Sequence, residues 1–395
     1  MIFNKSDRII FIRPFKKIIS CFVFVTFIFT CSKIFSAILF TSDEGKERHI
    51  YSIEPGKKPV KLTQKDEKSL RVVYNMFPVS SADGKRIAYA SYRIYEDEGL
   101  KEWKQWNGKP LYKCEEHYLF LYAYFPTRTY FTRHKSLNWN IYQFDMKTKK
   151  ERKISNFLWD ETEPQFMSRS SDILYILKAQ KSTFVLRGSK SGKSFKQITL
   201  ADNQAEHPQI SPDSRTLLYQ SYRDGNWNIY KMTMNDLPSK RFETRLTWTS
   251  NISELFPKWS PDGKYIFYLA NRPGVGIYDL YRINEDGSGK KKLTEREQVA
   301  PDYRVSPDGS KIAYIATNAG GGKINILDTK SGKKSSILTT GRSANFPVWS
   351  PDGKSITYLS EDEKGKLFLY ITGFDGKGMK KISEMKCSPS PPIWN

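Results

Sequence analysis

A phrase recurs along this chain. FPKWSPDGKYIFYLANRPG begins at Phe256, FPVWSPDGKSITYLSEDEKG at Phe346 and YRVSPDGSKIAYIATNAGG at Tyr303, with looser copies at Phe77, Glu163 and His207. Repetition at a fixed period confines a chain to architectures that stack one supersecondary unit, so it restricts the fold more tightly than composition does. The prolines that open the copies are Pro78, Pro164, Pro208, Pro257, Pro301, Pro347 and Pro392, and from Pro164 onward they are 44, 49, 44, 46 and 45 residues apart. That period accommodates four short strands, which is one blade of a β-propeller.

Each unit reads physically. In Trp-Ser-Pro-Asp-Gly-Lys the proline carries the φ needed at the second position of a tight turn and the glycine supplies a positive φ, so the phrase joins two antiparallel strands. The strand after it is apolar on both faces (Tyr265 to Ala270), as expected of a strand buried between neighbouring blades. A third strand is marked by Ile-Tyr. NWNIY occurs twice verbatim, from Asn138 and from Asn226, 88 residues or two periods apart. A basic stretch ending in Leu-Thr (Lys61 to Thr63, Arg245 to Thr247, Lys292 to Thr294) gives the outer strand.

The two ends of the chain complete one another. The C-terminal PPIWN is an opening strand without successors, while Ala37 to Ser42, His49 to Ile53 and Val60 to Thr63 are second, third and fourth strands without a predecessor. Pairing the C-terminal strand with the N-terminal ones closes the ring and removes its free sheet edges. The expected fold is therefore all-β, a seven-bladed β-propeller. The interval from Pro78 to Pro164 is 86 residues, close to two periods, which leaves eight blades as the alternative. We read the excess, about residues 93–137, as an aromatic-rich insertion within the first blade, because it holds no Pro-Asp-Gly turn.

Residues 1–30 read as a signal peptide or membrane anchor and 31–395 as the propeller. Lys5, Arg8, Arg13, Lys16 and Lys17 precede the apolar run Ile18 to Thr30, the charged-then-apolar order of an export signal. The run is shorter than a comfortable transmembrane helix. Cys31 follows Phe27-Ile28-Phe29-Thr30 in a sequence like a bacterial lipobox, with Thr30 in place of the usual small residue, so Cys31 is the expected lipidation site. An uncleaved anchor is the alternative. Cys114 and Cys387 would remain, either paired in an oxidising compartment or both free. Their spacing indicates no metal site, and no cofactor is expected.

Charge bears on partners. The chain has 64 Lys and Arg against 42 Asp and Glu, a net +22, which favours anionic partners such as phospholipid headgroups, lipopolysaccharide or acidic proteins. The basic residues are spread through turns rather than gathered into one motif, and export argues against nucleic acid. Turns such as Lys57-Lys58, Lys149-Lys150 and Lys290 to Lys292 fall between third and fourth strands and are expected along one rim. Residues just before the opening prolines are expected to line the mouth of the central channel. On three consecutive blades these include Glu161 and Glu163, then Glu206 and His207, then Glu254, an acidic arc suited to a cation or the basic end of a peptide. Phe77, Phe256, Ala300 and Phe346 take the equivalent places elsewhere and form an apolar rim for a protein partner.

The Trp-Ser-Pro-Asp-Gly-Lys-x-Ile-x-Tyr phrase resembles the repeat of TolB-like propellers of bacterial envelopes, over nearly all of the chain after residue 30. TolB itself places an α/β domain before its propeller, and none is evident here. The resemblance implies a monomeric scaffold of the periplasm or cell envelope, anchored at its N-terminus, that binds a protein partner, with an envelope lipoprotein among the candidates. Enzymatic activity is not expected. The chain has no Gly-x-Ser-x-Gly elbow and no room for a hydrolase domain, and only four histidines, of which His207 alone falls at a channel position. The alternative is a metal-dependent hydrolase at the channel mouth using Glu163, Glu206 and His207.

Overall fold

The computed structural model describes residues 37–44, 47–63, 70–95, 138–157, 159–168, 170–179, 182–199, 204–235, 242–271, 277–316, 323–339, 344–385 and 392–394. Regular structure among them is all β. Five sheets have four strands each, and a sixth of eight strands comprises two further blades, so the ring has seven blades and not eight. The first blade is built from Leu70–Ser80, Arg86–Tyr95, Asn140–Asp145 and Glu151–Lys153, and the fourth from Glu254–Trp259, Tyr265–Asn271, Tyr278–Asn284 and Lys291–Lys292. Blades two, three, five and six open with Asp160–Phe166, Ala205–Ile210, Arg304–Val305 and Ala344–Trp349.

Closure follows the expected plan. Ile393–Trp394 pairs antiparallel with Ile38–Glu44, matching Ile38 to Trp394 and Leu39 to Ile393, and the seventh blade is completed by Glu47–Ile53 and Val60–Lys61. A parallel bridge between Arg48 and Tyr74 further joins this blade to the first, which is why the two share one sheet. The second strand of the first blade runs to Tyr95, so the insertion expected from about 93 begins beyond it. The insertion's remaining residues, the N-terminal signal or anchor with Cys31, and Cys114 and Cys387 lie outside the described residues.

Hydrogen bonds explain the repeated letters. In Ser260-Pro-Asp-Gly the serine Oγ donates to Asp262 Oδ1 at 2.6 Å and accepts from the Tyr265 N–H at 2.9 Å, and the same bracket recurs at Ser81, Ser211, Ser306 and Ser350. Gly263 takes φ +72°, the conformation for which this turn needs glycine. In the Leu-Thr pair the threonine hydroxyl accepts a third-strand N–H, as Thr247 does from Ile229 and Thr294 from Leu280, both at 2.9 Å. The aromatic residues of the second and third strands are register partners whose rings stack: Tyr89 on Tyr142, Tyr219 on Tyr230, Tyr268 on Tyr281 and Tyr358 on Tyr370. These rings are mostly buried and form the repeating unit of the core.

The fifth blade departs from its expected register. Its Ser306-Pro-Asp-Gly turn is preceded by the strand Arg304–Val305, which puts Asp302, and not Ala300, at the place that Phe256 takes in the fourth blade. Pro301 is thus not the counterpart of the other opening prolines. Counting back from the turn, rather than from the nearest proline, gives the right alignment.

Candidate functional site

Five non-glycine residues with left-handed backbone occupy one repeat position, immediately before the opening proline: Phe77 (φ 56°), Glu163 (54°), His207 (52°), Phe256 (54°) and Phe346 (55°). At each the pairing register slips by one residue, between Met76 and Val79, Thr162 and Gln165, Glu206 and Gln209, Leu255 and Lys258, and Asn345 and Val348. These are β-bulges, a place where a strand tolerates a proline that cannot donate to the ladder. Non-glycine residues there are strained and persist only because the surrounding structure over-determines them.

The bulges bring three of the expected site residues into contact. His207 Nδ1 lies 3.2 Å from Glu163 Oε2 across the boundary between the second and third blades. The His207 ring then packs on Phe256 of the fourth blade, with centroids 4.9 Å apart. Burial alone would raise the Glu163 carboxyl, but the charge and hydrogen bond of His207, with Lys178, hold it below the usual range. All five left-handed residues are buried, Phe256 at 3% and His207 at 8% exposure, so they form a packed inner ring rather than an open apolar rim.

Glu161 and Glu254 lie elsewhere. Both are fully buried, three residues before the proline, and close the crossover from the preceding blade. Glu161 accepts from Ser155 Oγ at 2.5 Å and from the Phe157 N–H at 3.0 Å, and Glu254 accepts from Thr249 Oγ1. Asn75 does the equivalent in the first blade, donating to Thr63 Oγ1 at 3.1 Å. Burial pushes the Glu161 carboxyl up to about 8 and raises that of Glu254. The acidic arc expected from the sequence is therefore divided: Glu163 is an ion-pair partner, Glu161 and Glu254 are interior latches, and Glu206 alone is half-exposed.

Sequence reasoning did not single out a buried charged group in the next blades. Lys258, Asp302 and Arg304 are each under a tenth exposed, and Asp302 Oδ2 accepts the Phe346 N–H at 2.9 Å. Lys258 Nζ lies 5.0 Å from the centre of the Tyr303 ring, and Tyr303 donates its O–H to the Phe256 carbonyl at 2.6 Å. Burial lowers Lys258 well below its ordinary value and lowers Arg304 to about 10, while raising Asp302. The signal available was alignment by turn, which sets Lys258 and Arg304 at one repeat position.

Aromatic residues outside the ring mark the face where crossovers and second-to-third-strand loops emerge. In the third blade Asn226 Nδ2 donates to the Thr249 and Ile252 carbonyls at 2.6 and 2.9 Å, pinning the 222–227 loop to the crossover. Tyr222 packs on Trp227 at 5.4 Å, and Trp248, 73% exposed, lies under the Arg245 guanidinium at 4.6 Å. Among the described residues no three His, Cys, Asp or Glu side chains are grouped closely enough to hold a metal ion.

Comparison with known proteins agrees with this architecture. Residues 208–395 match the family described as TolB beta propeller domain. The chain is 24% identical over 208 residues to a TolB homolog of Chlorobium luteolum, covering 53% of this chain and 46% of that protein. It is 25% identical over 220 residues to the Tol-Pal system protein TolB of Francisella tularensis subsp. holarctica, covering 53% and 49%. The chain spans about half the length of the curated relatives it matches. An oligogalacturonate lyase solved in complex with manganese superposes with a TM-score of 0.60 at 15% identity, over 85% of each chain, a likeness of fold alone. The repeat and the seven blades make this chain a β-propeller, and its residues 208–395 match the TolB beta propeller domain.

Proposed function

We propose that this chain is a protein-binding scaffold of the bacterial cell envelope, exported and held at a membrane by its N-terminal segment. Its partner docks on the crossover face around the channel mouth. The observation that carries the reading is the inner ring, in which one strained conformation repeats on five blades at the same place. A buried ring held that firmly fixes the exposed side chains around it, so a partner meets them at little cost in ordering. Similarity to a protein named for the Tol-Pal system supports an envelope setting. Glu206 and the exposed Trp248 and Tyr222 supply the mixture of aromatic and charged side chains typical of interface anchors. In the test, Glu206→Lys and Trp248→Ala should each release a partner that co-purifies stoichiometrically with the full chain after mild crosslinking of the native envelope. Retention in both variants would remove the mouth as the docking site.

One observation favours a second reading, a metal-dependent hydrolase at the same mouth. Glu163 engages His207 Nδ1, the arrangement by which carboxylates orient metal-binding imidazoles. Stoichiometric metal in the purified chain, lost with His207→Ala, would support it.

A further inference from the structure

The turns and hairpins of this propeller share one face, and among the described residues that face differs in charge from the other. The Glu285 N–H donates to the Lys264 carbonyl at 3.0 Å, joining the hairpin between third and fourth strands to the Ser-Pro-Asp-Gly turn of the same blade. Met146 to Lys85, Met234 to Arg215, Thr329 to Ser310 and Phe374 to Lys354 repeat the bond. Among the described residues, the third-to-fourth-strand hairpins carry eleven lysines against four carboxylates, and the outermost strands ten Lys and Arg against three glutamates. The described residues of the connections on the opposite face carry four Lys and Arg against six carboxylates. The described turns between first and second strands, on the hairpin face, carry four Lys and Arg against six aspartates. Among the described residues that face thus keeps fifteen Lys and Arg against ten carboxylates, and its excess positive charge forms a girdle along the hairpins and the outer strands that continue from them.

The chain enters the propeller at this same face. Ile38 pairs with Trp394 as Ile266 pairs with Trp259, so Ile38 begins its strand at the end where the other blades have their Ser-Pro-Asp-Gly turn. Thirty-seven residues precede Ile38, including the apolar run Ile18 to Thr30.

We infer that the lysine girdle is a docking surface for an anionic phospholipid bilayer. It would hold the propeller flat, turn face down, with the crossover face directed away from the membrane. Lysines distributed around a ring, on flexible stems and without a pocket, suit a diffuse sheet of headgroup charge better than a single shaped ligand. Because Ile38 begins at the same face, an attachment through the apolar run that precedes it in sequence would act on the same surface, and two weak attachments together give stable anchoring. The inference concerns the face opposite the proposed mouth and does not depend on the identity of any partner there.

The test is flotation of the full chain with vesicles of phosphatidylcholine alone or of equal phosphatidylcholine and phosphatidylglycerol, at low and high salt. Unaltered protein should bind the anionic vesicles more tightly, and high salt should remove the difference. The variant K190E/K193E/K333E should bind the anionic vesicles on the order of a hundredfold more weakly while keeping its binding to neutral ones. The control K323E/K364E/K366E, which alters the opposite face by the same charge, should lose far less. Equal losses in the two variants, or no preference for anionic vesicles, would overturn the inference. So would selective loss of RNA binding in the first variant with vesicle binding unchanged. Circular dichroism melting of both variants establishes that each is folded.

Discussion

The indole Nε1–H of Trp349 donates to the main-chain carbonyl of Arg304 in the neighbouring blade, at 3.0 Å, and Trp259 reaches the Gln209 carbonyl in the same manner at 3.4 Å. Gln209 and Arg304 occupy one repeat position. The tryptophan of Trp-Ser-Pro-Asp-Gly is therefore a staple between blades as well as a core side chain, which gives the motif a physical reason to recur.

Replacing the staple should cost stability unequally. Trp349→Phe leaves a buried carbonyl without its donor and should destabilise by about 1–3 kcal/mol. Trp259→Phe, at a longer bond and a less buried site, should cost less than half of that. Urea midpoints of the two variants check the order, and equal losses would refute the staple.

Glu161→Gln should stabilise the protein at alkaline pH. The folded carboxyl is raised to about 8 by burial, above its ordinary value of 4.5. The folded state thus holds this proton more tightly than the unfolded one. Its favourable contribution is fully present below about pH 4.5 and is lost as pH rises through 8, by on the order of 5 kcal/mol. The melting temperature of Glu161→Gln should therefore exceed that of the unaltered protein at pH 8 by more than at pH 5. A pH-independent gap would show that the carboxyl does not titrate there.

Much of this fold was legible because its signals are local. The Ser-Pro-Asp-Gly brackets, the Leu-Thr hydroxyls and the Ile-Tyr ladder each rest on bonds within one blade, and Trp394 beside Ile38 follows from counting strands. The site was less legible. A bulge before each proline interrupts the two-residue alternation, so Glu161 and Glu163, two apart and expected on one face, serve different purposes. In the fifth blade Pro301 is a proline near the right place that is not the repeat's proline. Counting from Ser306 would have identified Asp302.

His207→Ala should destabilise by about 3–5 kcal/mol, because it leaves Glu163 buried without its partner. The Glu163 carboxyl is held low by that pair, so the stability it provides is present above its unfolded value and is lost as pH falls through its folded one. The double variant Glu163→Gln/His207→Ala should lose less than the sum of the single ones. Denaturant titrations of the cycle measure the coupling, and strict additivity would mean that the ion pair contributes nothing.

Ser260→Ala removes both arms of a turn bracket and should cost about 1–2 kcal/mol at neutral pH. Burial would raise Asp262, but the Ser260 hydroxyl and the Lys264 N–H hold it below the usual range. The stability it adds is lost as pH falls through that lowered value, so the cost of Ser260→Ala should shrink in acid. Thermal melts across the acid range follow it.

The most direct measurement of the scaffold proposal is site-specific photocrosslinking in intact envelopes, with the probe placed at Glu206 on the mouth and, in a separate protein, at Lys190 on the turn face. A scaffold docking at the mouth should give one discrete protein adduct from position 206, abolished by Trp248→Ala, and none of that mass from position 190. The same adduct from both positions, or no protein adduct from 206 in a folded and exported chain, would contradict it.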